Sequence, residues 1–183
     1  MPSPDNIHVR DTLRWLERAV IGLNLCPFAK AVHVKGALHC MVSESRDRAG
    51  VLADVKTALD ELAAMPIEER ETTLLIVPHG LHDFLDFNDV VRAGERLLRK
   101  LGLEGDIQLA SFHPKFQFED TRGDDIANFT NRSPYPTIHL LREKSIDRAV
   151  AAFPAAEAIY EANIATLNRI GLEGWNALGV GAS

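Results

Sequence analysis

The sequence predicts a single α/β (or α+β) domain: a four-stranded mixed sheet with crossover helices packed on it. Three observations carry that expectation. Four short runs with strand character alternate with segments of helical length, the pattern of crossover units in which helices cover a sheet. One of those runs, TTLLIV from Thr72 to Val77, is nearly continuous apolar, as a strand covered on both faces requires. The 183 residues also contain no internal repeat and no linker, and one domain takes roughly 100–200 residues.

The elements follow in order. Residues 6–23 read as an amphipathic helix, with Leu13, Leu16, Val20 and Leu23 at three- and four-residue spacing and Arg10, Arg14, Glu17 and Arg18 largely off that stripe. Asp5 or Asn6 caps its start, and it ends near Gly22–Asn24, since Asn tolerates the left-handed conformation and Pro27 blocks continuation. Ala37–Ser43 is the first strand. Asp47–Ala64 is the second helix, with Val51, Leu52, Val55, Leu59 and Leu62 inward and Pro66 closing it. Thr72–Val77 is the second strand, stopped by Pro78. Asn88–Leu101 is the third helix, capped by Asp86 or Asn88 and ended by Gly102. Asp106–Phe112 and Pro136–Leu141 complete the sheet. Ser145–Phe153 and Ala155–Ile170 are helices divided by Pro154, and residues 171–183 form a Gly-rich, flexible tail. If the first three strands are parallel, their carboxyl ends gather loops 44–46, 78–88 and 113–135 on one edge, where open α/β sheets hold ligands.

Composition narrows the class. A hydrophobic content of 46% and a charged content of 25% exclude collagen-like, disordered and coiled-coil chains. A chain of this length buries close to ~70% of its unfolded surface and needs no disulfide or metal to hold a core. The net charge of −6, with no basic stripe, speaks against a nucleic-acid partner but leaves room for a local pocket that takes a small anion. No apolar run approaches the ~18 residues of a membrane span, and the N-terminus lacks the charged start and apolar stretch of a secretory signal. The expected location is cytoplasmic, with no membrane partner and with Cys26 and Cys40 as free thiols.

The stretch from Ile107 to Glu143 draws attention because about two dozen residues separate its two strands, and loops longer than ~12–15 residues are usually functional or disordered. This one is too rich in Phe, Tyr and Pro for disorder. His113 follows a strand and precedes Pro114, which pushes it into an extended conformation suited to a general base, a metal ligand or an anion contact. The alternative is a structural histidine bonding a backbone carbonyl. Phe112, Phe116 and Phe118 either wall a pocket or belong to the core, and Gln117 offers an amide. Downstream, NFTNRSPYPT supplies Asn128, Asn131, Arg132 and Ser133. Arg132 either holds a carboxylate or phosphate through two parallel hydrogen bonds or pairs with Asp124 or Asp125 and fastens the loop.

Cys26 stands immediately before Pro27, a residue favoured at the first helical position, so Cys26 is placed as an N-cap with Lys30 one turn on. Unpaired N–H groups and a positive helix end lower a thiol pKa; a small buried cysteine in a tight junction is the other reading. His79, His82 and Asp83 in HGLHDFLDFND are a weak match to a divalent metal site.

Cys-Pro-Phe-Ala resembles the active-site start of glutaredoxin-like and omega-type glutathione transferase folds, although here it follows a helix and not a strand. Cys-Pro is likewise a short haem-regulatory signature. Taken together, GLNLCPFAK, TLLIVPH with DFLDFND, LASFHPKFQF and NFTNRSPYPTIHLLRE resemble the bacterial family known as domain of unknown function 1415, over roughly Asp11 to Ala149. The resemblance implies a soluble intracellular protein and brings no activity, cofactor or catalytic residue with it.

The functional expectation is a small-molecule enzyme acting on an anionic substrate. In it Cys26 is a nucleophile or redox thiol and His113 the acid/base, while Asn128, Asn131, Arg132, Ser133 and Gln117 hold the substrate. The alternative is a non-catalytic module binding a metal, haem or phosphorylated metabolite. The cofactor and the oligomeric state are unknown at this level. The test of the main reading is whether Cys26 and His113 share one pocket.

Overall fold

A computed structural model describes residues 6–152 and 158–183, and it is an α/β fold built on an open four-stranded mixed sheet. The strands are β1 (Leu38–Val42), β2 (Thr72–Ile76), β3 (Ile107–Phe112) and β4 (Thr137–Arg142), in the order β1-β2-β4-β3. β1 and β2 are parallel, and β4 runs antiparallel to both β2 and β3. The first three strands therefore point the same way, and loops 44–46, 78–88 and 113–135 do gather on one edge. Each strand falls within a residue of its expected span.

Side chains alternate across a pleated sheet, so each strand offers one set of residues to each face. One set, including Met41, Leu75, Leu109, Ile138 and Leu140, packs beneath α3 (Arg48–Ala64) and α4 (Phe84–Lys100). Val51, Val55, Leu59 and Leu62 of α3 and Phe87, Val90 and Leu98 of α4 close that layer. Each such side chain, fully buried, contributes roughly 1.5–3 kcal/mol. At Gly94 the helix comes so near β3 that a Cβ would lie 3.0 Å from the Leu109 side chain.

The opposite face carries Leu38, Cys40, Leu74, Phe112, His139 and Leu141. It is covered by α1 (Ile7–Trp15), a π-helix (Leu16–Ile21), the short α2 (Ala29–Val34), α5 (Glu143–Ala152) and α6 (Ile159–Ala177). Residues 6–23 are thus helical as expected, but the last part is wound as a π-helix, in which the Gly22 N–H bonds Glu17 O at 3.0 Å. Asn6 caps α1 by accepting from the His8 N–H at 2.9 Å, and Asn24 takes the left-handed conformation (φ 55°) that ends the helical stretch. Asp5, the other expected cap, and Pro154, the expected divider of the last two helices, lie outside the described residues.

Two expectations need correction. α4 begins at Phe84 rather than Asn88, because Asp83 and not Asp86 or Asn88 supplies the cap, accepting from the Leu85 and Asp86 N–H groups at 2.9 and 3.0 Å. Residues 171–183, expected to fray, are anchored at Trp175, Val180 and Ser183. Gly171 breaks α6 (φ 60°, ψ −173°) where Ile170 was expected to end it, yet the chain continues helically to Ala177. Trp175 and Val180 are buried, and the Trp175 ring meets Phe129 edge-on at 5.1 Å. The fully buried Asp11 carboxylate accepts from the Ser183 N–H and hydroxyl, each at 2.8 Å, and from the Tyr135 hydroxyl at 2.7 Å. An aromatic side chain of this size gains more from burial than a glycine-rich composition suggests.

Candidate functional site

The loop between β3 and β4 is ordered by the very side chains expected to hold substrate. His113 is fully buried; its Nδ1 accepts from the Lys115 N–H at 2.9 Å and its Nε2 donates to Leu81 O at 3.0 Å. Its ring lies 5.3 Å from Phe84 and 5.1 Å from Phe87, and burial lowers its pKa. Both nitrogens are engaged, so the structural reading of this histidine prevails. Asn128 Oδ1 accepts from the Phe118 N–H and the Thr121 hydroxyl, both at 2.9 Å, while its Nδ2 donates to Arg122 O at 2.8 Å. Asn131 donates to Ser111 O, Ser133 to Tyr135 O and Gln117 to Thr121 O.

Arg132 is spent in the same way. Its Nε donates to Phe116 O at 3.2 Å and its Nη2 to Gly123 O at 2.7 Å, and its guanidinium sits 4.3 Å from the centre of the Phe129 ring. It fastens the loop, but through carbonyls; Asp124 pairs with Arg122, and Asp125 caps the 3₁₀ helix Ile126–Asn131. The expected anion anchor is therefore a loop clasp.

Cys26 is not a helix cap. α2 starts at Ala29 with Phe28 in the cap position, and Cys26 lies before a turn closed by the Ala29 N–H on Cys26 O at 3.2 Å. The Cys26 side chain belongs to the cluster of Trp15, Leu25, Ala29 and Phe112, on the α1/α2 face of the sheet. His113 lies one residue beyond β3, on the α3/α4 face with Phe84 and Phe87. A sheet separates the thiol from that imidazole, so the expected Cys26–His113 pair does not form. Asp83 of the weak metal set caps α4, and His79 faces Glu44 at 3.5 Å. Among the described residues no three His, Cys, Asp or Glu side chains are placed to share an ion.

What the structure does offer is a cavity of about 660 Å³ on the α1/α2 face. Its floor is the sheet, through Leu38, Leu74, Ala110, Phe112 and Leu141. Its roof is Trp15, Leu16 and Val20 with Ala29 and Val32, and Ile146 of α5 forms a wall. The space exists because α2 spans only six residues and cannot cover the sheet, while β3 contributes the small Ala110 beneath it. The lining residues come from the first half of β1 and β2, all of β3 and the last half of β4, so the cavity lies toward the amino ends of the parallel strands. Toward the carboxyl ends of the parallel strands, on the same face, Val9, Ile76 and Tyr135 form a small buried cluster.

Four charged side chains line the cavity: Lys35, Glu71, Arg142 and Arg148. Lys35 Nζ and Arg148 Nη2 both reach the nearly buried Glu71 carboxylate, at 3.2 and 3.6 Å. Arg142 donates to Arg70 O at 3.0 Å and to Leu62 O and Met65 O, each at 2.5 Å, and so is held without a carboxylate partner among the described residues. Positive charge is in excess there.

Two reactive groups share the cavity, the Cys26 thiol and the imidazole of His139. His139 Nε2 lies 2.5 Å from Thr72 Oγ1, which donates to Leu140 O at 2.7 Å. Burial pushes the His139 pKa down to about 4, so the ring is neutral at pH 7. The second thiol, Cys40, lies outside the lining, and burial pushes its pKa up to about 12. His139, Lys35, Glu71 and Arg148 were missed from the sequence. The one local signal was the alternation in TIHLLRE, which sets His139 on the same strand face as Thr137 and Leu141.

Fold and site together define an α/β protein with helices on both faces of a mixed sheet and a cavity left between the sheet and the α1/α2 layer. The chain belongs to the family described as Protein of unknown function (DUF1415), whose model matches residues 8–177. No curated protein and no solved structure matches it. Among the described residues no helix is long and apolar enough to cross a membrane.

Proposed function

We propose that the protein binds a small, largely apolar molecule carrying one anionic group, and that the cavity over β3 and β4 is where it acts. The observation behind this reading is the pairing of apolar walls with an excess of positive charge from Lys35, Arg142 and Arg148 over Glu71. Ligand cavities combine predominantly apolar linings with a few placed polar groups, and their volumes run from about 300 to 1,000 Å³. A catalytic role is favoured by one further feature: Cys26 and His139 line the same space. There a neutral imidazole is a proton acceptor and not a charge partner for a thiolate.

The test uses two fluorescent probes of similar shape, anionic 1-anilinonaphthalene-8-sulfonate and neutral N-phenyl-1-naphthylamine. Both bind the native protein, and Ala110→Trp, which fills the floor, abolishes both signals. The double variant Lys35→Glu/Arg148→Glu weakens the anionic probe several-fold at low ionic strength and leaves the neutral one unchanged. Equal binding of the probes by Ala110→Trp, or indifference of the anionic probe to charge reversal, refutes the reading.

A further inference from the structure

We infer that the ligand of this cavity carries, besides its anionic group, a hydroxyl or N–H donor in its apolar part, read by Nδ1 of His139. The inference rests on the cavity reading and adds a substrate class to it: hydroxylated or amino-bearing amphipathic acids. Its basis is a proton count at the His139–Thr72 pair. The Thr72 hydroxyl has one hydrogen and two close neighbours, Leu140 O at 2.7 Å and His139 Nε2 at 2.5 Å. A carbonyl only accepts, so the hydroxyl hydrogen goes to Leu140 O, and Nε2 must then carry a proton and donate to Thr72 Oγ1. A neutral ring with its proton on Nε2 has a bare lone pair on Nδ1. That nitrogen has no hydrogen-bond partner among the described residues, and His139 as a residue is only half-buried. His139 also lines the cavity, where its ring stands 5.9 Å from Phe112 among apolar side chains.

The cavity thus presents an acceptor within its apolar lining and cations among its charged groups. A purely hydrocarbon chain end set against Nδ1 displaces water and leaves the lone pair without a donor, which is the larger cost in hydrogen bonding. A ligand hydroxyl or N–H restores the bond. Burial holds the ring neutral, so the acceptor persists throughout the physiological pH range.

The experiment titrates straight-chain carboxylates of increasing length, each with and without a terminal hydroxyl, as competitors of the anionic naphthalene probe. At the chain lengths that reach His139, the hydroxylated acid binds roughly tenfold more tightly than its parent, as one satisfied buried acceptor predicts. His139→Phe removes the preference and keeps the binding of the parent acid. In the native protein, the nitrogen-15 resonance of the unprotonated Nδ1 moves upfield with the hydroxylated acid and stays in place with the parent, a readout independent of how the variant folds. Carboxylates that bind with no hydroxyl preference at any length, and no nitrogen shift, overturn this inference while leaving the cavity reading intact. Failure of every carboxylate to displace the probe overturns both.

Discussion

Replacing His139 with glutamine, which keeps a donor for Thr72 Oγ1 but cannot titrate, changes how stability depends on pH. In the unfolded chain the imidazole takes up a proton near its ordinary value of 6.5, whereas in the folded protein burial delays protonation to about 4. Between those values the unfolded state binds more protons, so stability falls as pH falls. The contribution is fully present above pH 6.5 and is lost progressively as pH drops toward 4. A window of that width corresponds to about 3 kcal/mol at 1.36 kcal/mol per unit. Burial lowers His8, His39 and His113 in the same direction, but they are common to both proteins and cancel in the difference. Urea unfolding monitored by tryptophan fluorescence at steps from pH 7.5 to 4.5 gives that difference directly. The native protein should lose up to about 3 kcal/mol more than His139→Gln across the window. Parallel stability curves would mean that the ring charges freely in the folded state, and the neutral acceptor in the cavity would be lost with them.

Arg132→Ala should cost about 2–3 kcal/mol, from two charge-assisted hydrogen bonds and the contact with Phe129, and should speed hydrogen exchange in residues 113–131 while leaving probe binding unchanged. Lost probe binding with intact loop protection would restore Arg132 as a ligand anchor. Iodoacetamide at pH 8 should alkylate Cys26 in the native protein well before Cys40, whose thiol burial holds near 12. Filling the cavity by Ala110→Trp should slow Cys26, and mass spectrometry showing an unaltered rate would place the thiol outside the cavity.

How far the sequence could be read differs between fold and site. The runs DIQLASF and TIHLLRE were legible as strands because apolar alternation is a local property, decided by neighbours two residues away. The helices were legible for the same reason, and where a boundary failed the competition was also local. In DFLDFND three aspartates and an asparagine can each cap a helix, and Asp83 prevailed because starting there brings the fully buried Phe87 into the core. Trp175 in the glycine-rich end was misread because its partner, Phe129, is supplied by a distant loop.

The site was harder. Asn128, Asn131, Arg132 and Ser133 read from the sequence as substrate-binding groups, but whether such groups face a ligand or each other depends on how the loop closes. They face each other and the backbone. His113 and His139 look alike in the sequence, each in or beside a strand rich in apolar residues. One falls on the face packed by α3 and α4 and has both nitrogens engaged; the other falls on the opposite face, where the six-residue α2 leaves a cavity.

The amino-acid order alone therefore determined the four strands and most of the helices, since each follows from periodicity and from caps within a few residues, whereas the common direction of the first three strands came from their pairing. It also marked Cys26, which does line the cavity. Tertiary structure alone decided which imidazole shares the thiol's cavity and where positive charge gathers. A cavity is the volume that α1, α2, α5 and the sheet jointly fail to fill, and no short window of sequence encodes a gap between distant elements.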